Sequence, residues 1–213
     1  MSERRQGILF VIAAPSGTGK SSVAREVLAR DAELEFSISY TTRAPRDGER
    51  DGREYHFIDR DEFARMRERQ AFLESAEVFD QLYGTGLEAT RRSLATGKDL
   101  LLDIDVQGAR QVTGGPLEAV TIMIFPPDYR TLTERLERRG SEDRAQSRRR
   151  LAKARAEAED YLSFDYLVVN RDLEAAVRDV SAIVHGERRR TRRCATEARR
   201  VLATFPVEGS TTE

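Results

Sequence analysis

The run Ala14-Pro15-Ser16-Gly17-Thr18-Gly19-Lys20-Ser21 places two glycines, a lysine and hydroxyl side chains within eight residues. That combination suits phosphate. Glycines permit a tight turn whose backbone N–H groups converge on an anion, the lysine neutralises charge at β- and γ-phosphates, and the adjacent serine hydroxyl can ligate magnesium. The strict pattern has glycine where Ala14 stands, a departure of one methyl group. The competing explanation is a strand-to-helix junction with chance glycines. Further along, Arg43 and Arg46 carry guanidinium forks that can grip a phosphate at two points. Asp103 and Asp105 close an apolar run, and their alternation puts both carboxylates on one face of a strand. Arg135 and Arg139, four apart, share a helix face, and Arg150 ends the polar stretch after them. Taken singly, Arg43 and Arg46 read as solvated loop residues and Glu74 as an exposed strand carboxylate.

Elements that could aim these residues are legible in the hydrophobic pattern. Residues 8–13 are continuously apolar and rich in branched side chains, as in a strand buried on both faces of a parallel sheet. The glycine-rich loop follows, then a helix over about 20–30. Residues 100–104, 120–125 and 166–169 read as three more core strands, with helices at roughly 107–112, 129–138 and 173–185. Such alternation predicts an α/β fold with a central parallel sheet flanked by helices. Between the first helix and residue 100 the texture changes. Residues 36–40 alternate like one half-exposed strand, and 43–53 form a charged loop with Gly and Pro. This predicts one domain over 1–205, with a core of 7–36, 97–137 and 151–190 and an inserted subdomain of about 37–96. The polar segment 138–150 reads as a lid or a plain surface loop, and 206–213 as a disordered tail.

Composition narrows the classes. A chain of 213 residues with 39% hydrophobic and 34% charged residues fits one well-filled soluble domain. Its formal net charge of −1 leaves no overall field toward nucleic acid or an anionic membrane, so neither is expected as a partner. Only Lys20, Lys98 and Lys153 are lysines among 36 basic residues. The single cysteine, Cys194, fits a reducing, cytoplasmic compartment, and His56 and His185 form no zinc pattern. Arg4-Arg5 ahead of the apolar residues 8–14 imitates a secretory signal, but the run passes straight into the glycine loop. No stretch is long enough to span a bilayer.

The phosphate loop together with Ser39-Tyr40-Thr41-Thr42-Arg43-Ala44-Pro45-Arg46-Asp47-Gly48-Glu49 closely resembles the guanylate kinases, particularly the bacterial ones. The likeness continues through residues 51–57, 72–74, 83–85 and 102–108, from about Gly7 to Arg188, and alanine is frequent in that family at the position of Ala14. It implies a P-loop nucleoside monophosphate kinase fold and reversible transfer of the γ-phosphoryl of ATP to GMP, and to dGMP as well, in purine nucleotide metabolism. ATP then falls to Ala14, Pro15, Ser16, Gly17, Thr18, Gly19, Lys20, Ser21 and Ser22, with Asn170 near the adenine. GMP falls to Ser39, Arg43, Arg46, Tyr55, Glu74, Tyr83, Gly84, Thr85 and Asp105. Arg43, Arg46, Tyr55 and Tyr83 would hold its phosphate. Glu74 would accept from guanine N1–H and the exocyclic amine, and Ser39 and Thr85 would donate to O6. Lys20, Arg43, Arg135, Arg139 and Arg150 would carry the catalytic charge, the last three from the lid. Mg²⁺ would sit on Ser21, with Asp103 acting through water. Leu82 and Gly86 depart from the usual residues without removing a needed group.

Two other readings remain open. Some guanylate-kinase-like domains bind phosphorylated proteins without catalysis, although Lys20 and Ser21 have no job there. A kinase of the same fold with another acceptor is the nearer rival, against which Glu74 and Ser39 argue for guanine. Residues 188–200 carry seven arginines, expected to be a solvated helix end or a subunit contact rather than a nucleic-acid tail. A homo-oligomer is left open.

Overall fold

The strand Leu9–Ala13 (β1) is apolar at every position because both of its faces are covered. Phe10 and Ile12 pack into one core cluster, and Leu9, Val11 and Ala13 into another on the opposite side. The computed structural model describes residues 5–78, 80–137 and 144–206, with 144–149 as backbone alone.

After β1 the chain forms α1 (Lys20–Arg30) and β2 (Leu34–Phe36), then leaves the core. Strands β3 (Ser39–Thr41) and β4 (Tyr55–Phe57), helix α2 (Arg60–Glu68), and strands β5 (Phe72–Val78) and β6 (Gln81–Gly86) follow. Helix α3 (Leu87–Ala95) leads back to β7 (Asp99–Asp103), α4 (Val106–Thr113), β8 (Ala119–Phe125) and α5 (Tyr129–Glu137). Helix α6 (Arg144–Ala158), a 3₁₀ turn (Glu159–Ser163), β9 (Tyr166–Val169), α7 (Leu173–Arg188) and α8 (Ala195–Leu202) complete the order.

Five strands make a parallel sheet in the order β2-β7-β1-β8-β9. Val23, Ala24 and Val27 of α1 and Ala176, Val177, Val180 and Val184 of α7 fill one side. Leu94 of α3 and Val106, Ala109 and Val112 of α4 fill the other. This is the predicted central parallel sheet flanked by helices. The remaining strands form a second sheet, β4-β3-β6-β5, in which β6 runs antiparallel to both neighbours. Phe63 of α2 stacks on Phe72 at 4.4 Å between ring centroids and anchors that helix to it.

The structure corrects the pattern reading at three places. Residues 36–40 are not one strand: β2 ends at Phe36 in the parallel sheet, and β3 begins at Ser39 in the other. Buried Ser37 lies at the crossing, its N–H donating to the Leu101 carbonyl. Asp105 is not in a strand with Asp103, because β7 stops at Asp103 and Asp105 caps α4, accepting from the Gly108 N–H at 2.8 Å. Residues 144–150 are the opening turns of α6 rather than loop. Residues 138–143, with the expected lid residue Arg139, and the tail from 207 lie outside the described residues. Among the described residues, no helix is long and apolar enough to cross a membrane.

Candidate active site

The loop between β1 and α1 depends on two left-handed residues, Gly17 at φ 91° and Gly19 at φ 90°. A side chain at either would also have to displace a neighbour. A Cβ on Gly17 would lie 2.8 Å from Leu136 Cδ2, and one on Gly19 would lie 2.7 Å from Asn170 Nδ2. Between them, buried Thr18 turns its carbonyl inward, where it accepts from Asn170 Nδ2 at 2.7 Å and Arg135 Nη1 at 3.0 Å. Arg135 also donates to the Asn170 carbonyl at 3.2 Å. Arg135 and Asn170 therefore brace the back of the loop together. The Asn170 Oδ1 is buried without a hydrogen-bond partner among the described residues.

In front of the loop is a cavity of about 230 Å³ lined by residues 14–21 with Asp105, Lys153 and Glu157. Ser21 is exposed there; Ser22, the third residue of α1, is not part of the lining. Glu157 pairs with Lys153 at 3.4 Å. Its carboxyl is pushed above the usual range by burial, partly offset by Lys153 and by the Ser16 N–H. Lys20 pairs with Asp103 and donates to the Ile104 carbonyl.

A second cavity, of about 290 Å³, lies on the other side of Lys20. Lys20, Phe36, Ser39, Tyr55, Glu74, Ala76, Val78, Tyr83, Asp103, Ile104 and Asp105 line it, so Lys20 and Asp105 belong to both spaces. Glu74 is only 5% exposed, which overturns its reading as a solvated strand carboxylate. It accepts from the Thr85 hydroxyl at 2.6 Å. In this structure the Thr85 hydroxyl thus orients the Glu74 carboxylate. Burial pushes the Glu74 carboxyl above its ordinary range against that hydrogen bond. Burial also raises the Tyr55 phenol, with Tyr83 5.9 Å away between ring centroids.

Arg43 stands behind this tyrosine pair, its guanidinium 5.4 Å from the Tyr55 ring centroid. Two 2.9 Å hydrogen bonds from Arg43 to Glu49, and one of 2.8 Å to the Ala44 carbonyl, hold the fork. Arg46 is exposed, with its backbone N–H on Glu49. Gly84 lies in β6 beneath Phe72, since a Cβ there would meet that ring at 2.9 Å. Arg150 is half-buried on α6.

Several contributors escaped the sequence reading. Ala76 and Val78 follow Glu74 at the strand period of two, a signal that was present. Lys153 and Glu157 have helical i,i+4 spacing, but nothing in that spacing tells which way α6 faces. The positioning of Arg43 by Glu49 requires the folded loop.

The Guanylate kinase family model matches residues 6–187. The guanylate kinase of Nitrosomonas europaea is 47% identical over 197 residues, covering 92% of this chain and 98% of that protein. That of Neisseria meningitidis serogroup B is 46% identical over 185 residues, covering 87% and 90%. The crystal structure of guanylate kinase from Anaplasma phagocytophilum superposes with a TM-score of 0.73 at 32% identity, covering 96% of this chain and 98% of that one.

Proposed function

This chain belongs to the guanylate kinase family, the enzymes that move the γ-phosphoryl group of ATP onto GMP, and on that premise we propose that its two cavities hold the two substrates on either side of Lys20. The sharing of Lys20 and Asp105 by both cavities carries the assignment. Two anionic nucleotides bound there meet at one ammonium group, as in-line transfer between them requires.

ATP occupies the loop cavity. Backbone N–H groups of residues 16–21 and the start of α1 receive its phosphates, and Asn170, which braces the back of the loop with its buried Oδ1 unpartnered among the described residues, is assigned to the adenine end. Among the described residues, no group of three or more His, Cys, Asp or Glu could hold a metal by itself. The Ser21 hydroxyl, which lines the loop cavity, would hold a magnesium ion brought by the nucleotide, and Asp103, paired with Lys20 on the side of the second cavity, would contribute through water. Such an ion neutralises charge on the β- and γ-phosphates.

GMP occupies the second cavity. Tyr55, Tyr83 and Arg43, with Arg46 closing from the exposed loop, hold its phosphate as the nucleophile. Glu74 accepts from N1–H and the exocyclic amine of guanine, Thr85 orients that carboxylate, and Ser39 reaches the base edge. Adenine would leave the buried carboxylate facing an unprotonated ring nitrogen, which gives discrimination. The phosphate oxygen attacks directly and no side chain serves as general base. Arg135 stabilises the loop carbonyl side in this structure, and Arg139 and Arg150 are assigned to charge on the transferring group. The same contacts admit dGMP. We place the enzyme in the cytoplasm, and propose no nucleic acid or membrane partner.

The test is ADP production from ATP and magnesium with GMP, AMP, CMP and UMP offered separately. Turnover with GMP alone, lost at least about 100-fold in Lys20→Ala, is the expected result. Comparable turnover with another acceptor would refute the guanine assignment, and no turnover with any would point to a phosphoprotein-binding domain.

A further inference from the structure

Strand β5, which carries Glu74, is an edge strand of the second sheet. On its inner side it pairs with β6, where Glu74 faces Thr85. An edge strand has N–H and C=O groups on its outer side without a neighbouring strand to receive them. At Ser75 one side chain meets both. The Ser75 N–H donates to Gln111 Oε1 at 3.0 Å, and Gln111 Nε2 donates to the Ser75 carbonyl at 3.1 Å. A primary amide presents a donor and an acceptor at the spacing of a peptide group, so Gln111 substitutes for a residue of the missing strand.

The position of Gln111 gives this pairing its consequence. Gln111 lies on α4, which packs on the parallel sheet and whose N-cap is Asp105, a lining residue of both cavities. Gly108 of the same helix faces Glu74, and a Cβ there would stand 3.2 Å from Glu74 Oε2. One helix thus touches the nucleotide cavities with its cap, the Glu74 carboxylate with its glycine, and the backbone of the following residue with its glutamine. The register between β5 and α4 fixes where the Glu74 oxygens stand relative to Asp105 and Lys20. A shift of a fraction of an ångström would misplace a two-point acceptor while leaving one-point contacts nearly intact.

We propose that Gln111 is a positioning residue for guanine recognition, locking the Glu74 strand in register on α4 so that both oxygen contacts with the base form together. The inference rests on the assignment of Glu74 as the guanine reader. Gln111 is exposed and touches neither cavity, so its effect passes through Ser75 and Glu74.

The experiment compares GMP with IMP, which lacks the exocyclic amine, as acceptors for wild type, Gln111→Met, Gln111→Glu and Glu74→Gln, with thermal melts of each. Gln111→Met removes both hydrogen bonds at similar volume. Gln111→Glu keeps the acceptor and sets a carboxylate against the Ser75 carbonyl. Both are expected to lower the GMP-over-IMP ratio of kcat/KM roughly tenfold, through KM for GMP, while KM for ATP stays within about twofold. A structural role alone would lower the melting temperature and weaken both acceptors equally. An unchanged ratio in whichever Gln111 variant folds, beside a collapsed ratio in Glu74→Gln, overturns the role of Gln111 alone. A ratio preserved in Glu74→Gln overturns the reading of Glu74 and this proposal with it.

Discussion

At the scale of single residues, Glu74 shows how an ordinary carboxylate acquires selectivity. Burial costs its charged form solvation, and the Thr85 hydroxyl returns only part of it, so the carboxyl stays above its usual range. A guanine edge supplies two further donors to that charge, which is where binding energy specific to this base arises. Glu74 therefore takes up its proton at a higher pH than an exposed glutamate does. As pH falls toward that range, the GMP-over-IMP preference is expected to decline in wild type before ordinary carboxylates titrate, and to be flat in Glu74→Gln. Acceptor ratios measured at several pH values check this, and parallel profiles for the two proteins would contradict it. Lys20 makes the complementary point. It is held by Asp103 and the Ile104 carbonyl, so its charge is already aimed at the space between the cavities.

At the scale of elements, the phosphate loop is held from behind as well as built from the right residues. Asn170 after β9 and Arg135 of α5 both donate to the Thr18 carbonyl, so the ends of two other elements set the curvature of the loop. Gly19→Ala is expected to raise KM for ATP roughly tenfold and leave KM for GMP within about twofold, because its Cβ would collide with Asn170 and demand a left-handed alanine. Steady-state kinetics with each substrate varied in turn decide it. Equal losses for both substrates would show instead that the variant had disturbed the whole domain. The β5–α4 seam works in the same manner for the other substrate, with Gly108 allowing close approach and Gln111 fixing register.

At the scale of the whole molecule, distant stretches of chain are tied together by one buried carboxylate at the base of the sheet. The Asp99 side chain is fully buried and accepts from Arg5 at 2.7 and 3.0 Å, from Arg188 at 2.6 Å, and from the Ile8 N–H at 2.7 Å. Arg188 continues to Asp31 at 2.7 Å. Burial alone would push the Asp99 carboxyl up, but the two guanidinium groups together with the Ile8 N–H outweigh it and hold it below the ordinary range. A depressed folded-state pKa contributes stability that is present above the unfolded value of about 3.9 and lost as pH falls through the folded one. Asp99→Ala should therefore cost about 3 kcal/mol at neutral pH, by stranding the arginines, and should show a shallower loss of stability on acidification than wild type. Denaturant unfolding at pH 7 and at several acidic values measures both effects. Equal acid sensitivity in the two proteins would remove Asp99 from the explanation. Beyond this clamp, Arg190 pairs with Glu187 at 2.8 Å, and Arg192 and Arg193 reach Glu118, so part of the arginine-rich segment is spent on the fold itself.

The sequence by itself determined four of the five strands of the parallel sheet, the glycine loop and the chemistry to expect there. Each of these depends on local patterning: continuous apolar runs for strands covered on both faces, and glycine where a left-handed turn must meet phosphate. Only the tertiary structure decided the burial of Glu74, the service of Thr85 to it, the departure of Asp105 from the strand of Asp103, and the alliance of Arg135 with Asn170. Those features are set by which surfaces meet across long separations in the chain. Helical or strand period says which residues share a face, but not what that face will touch.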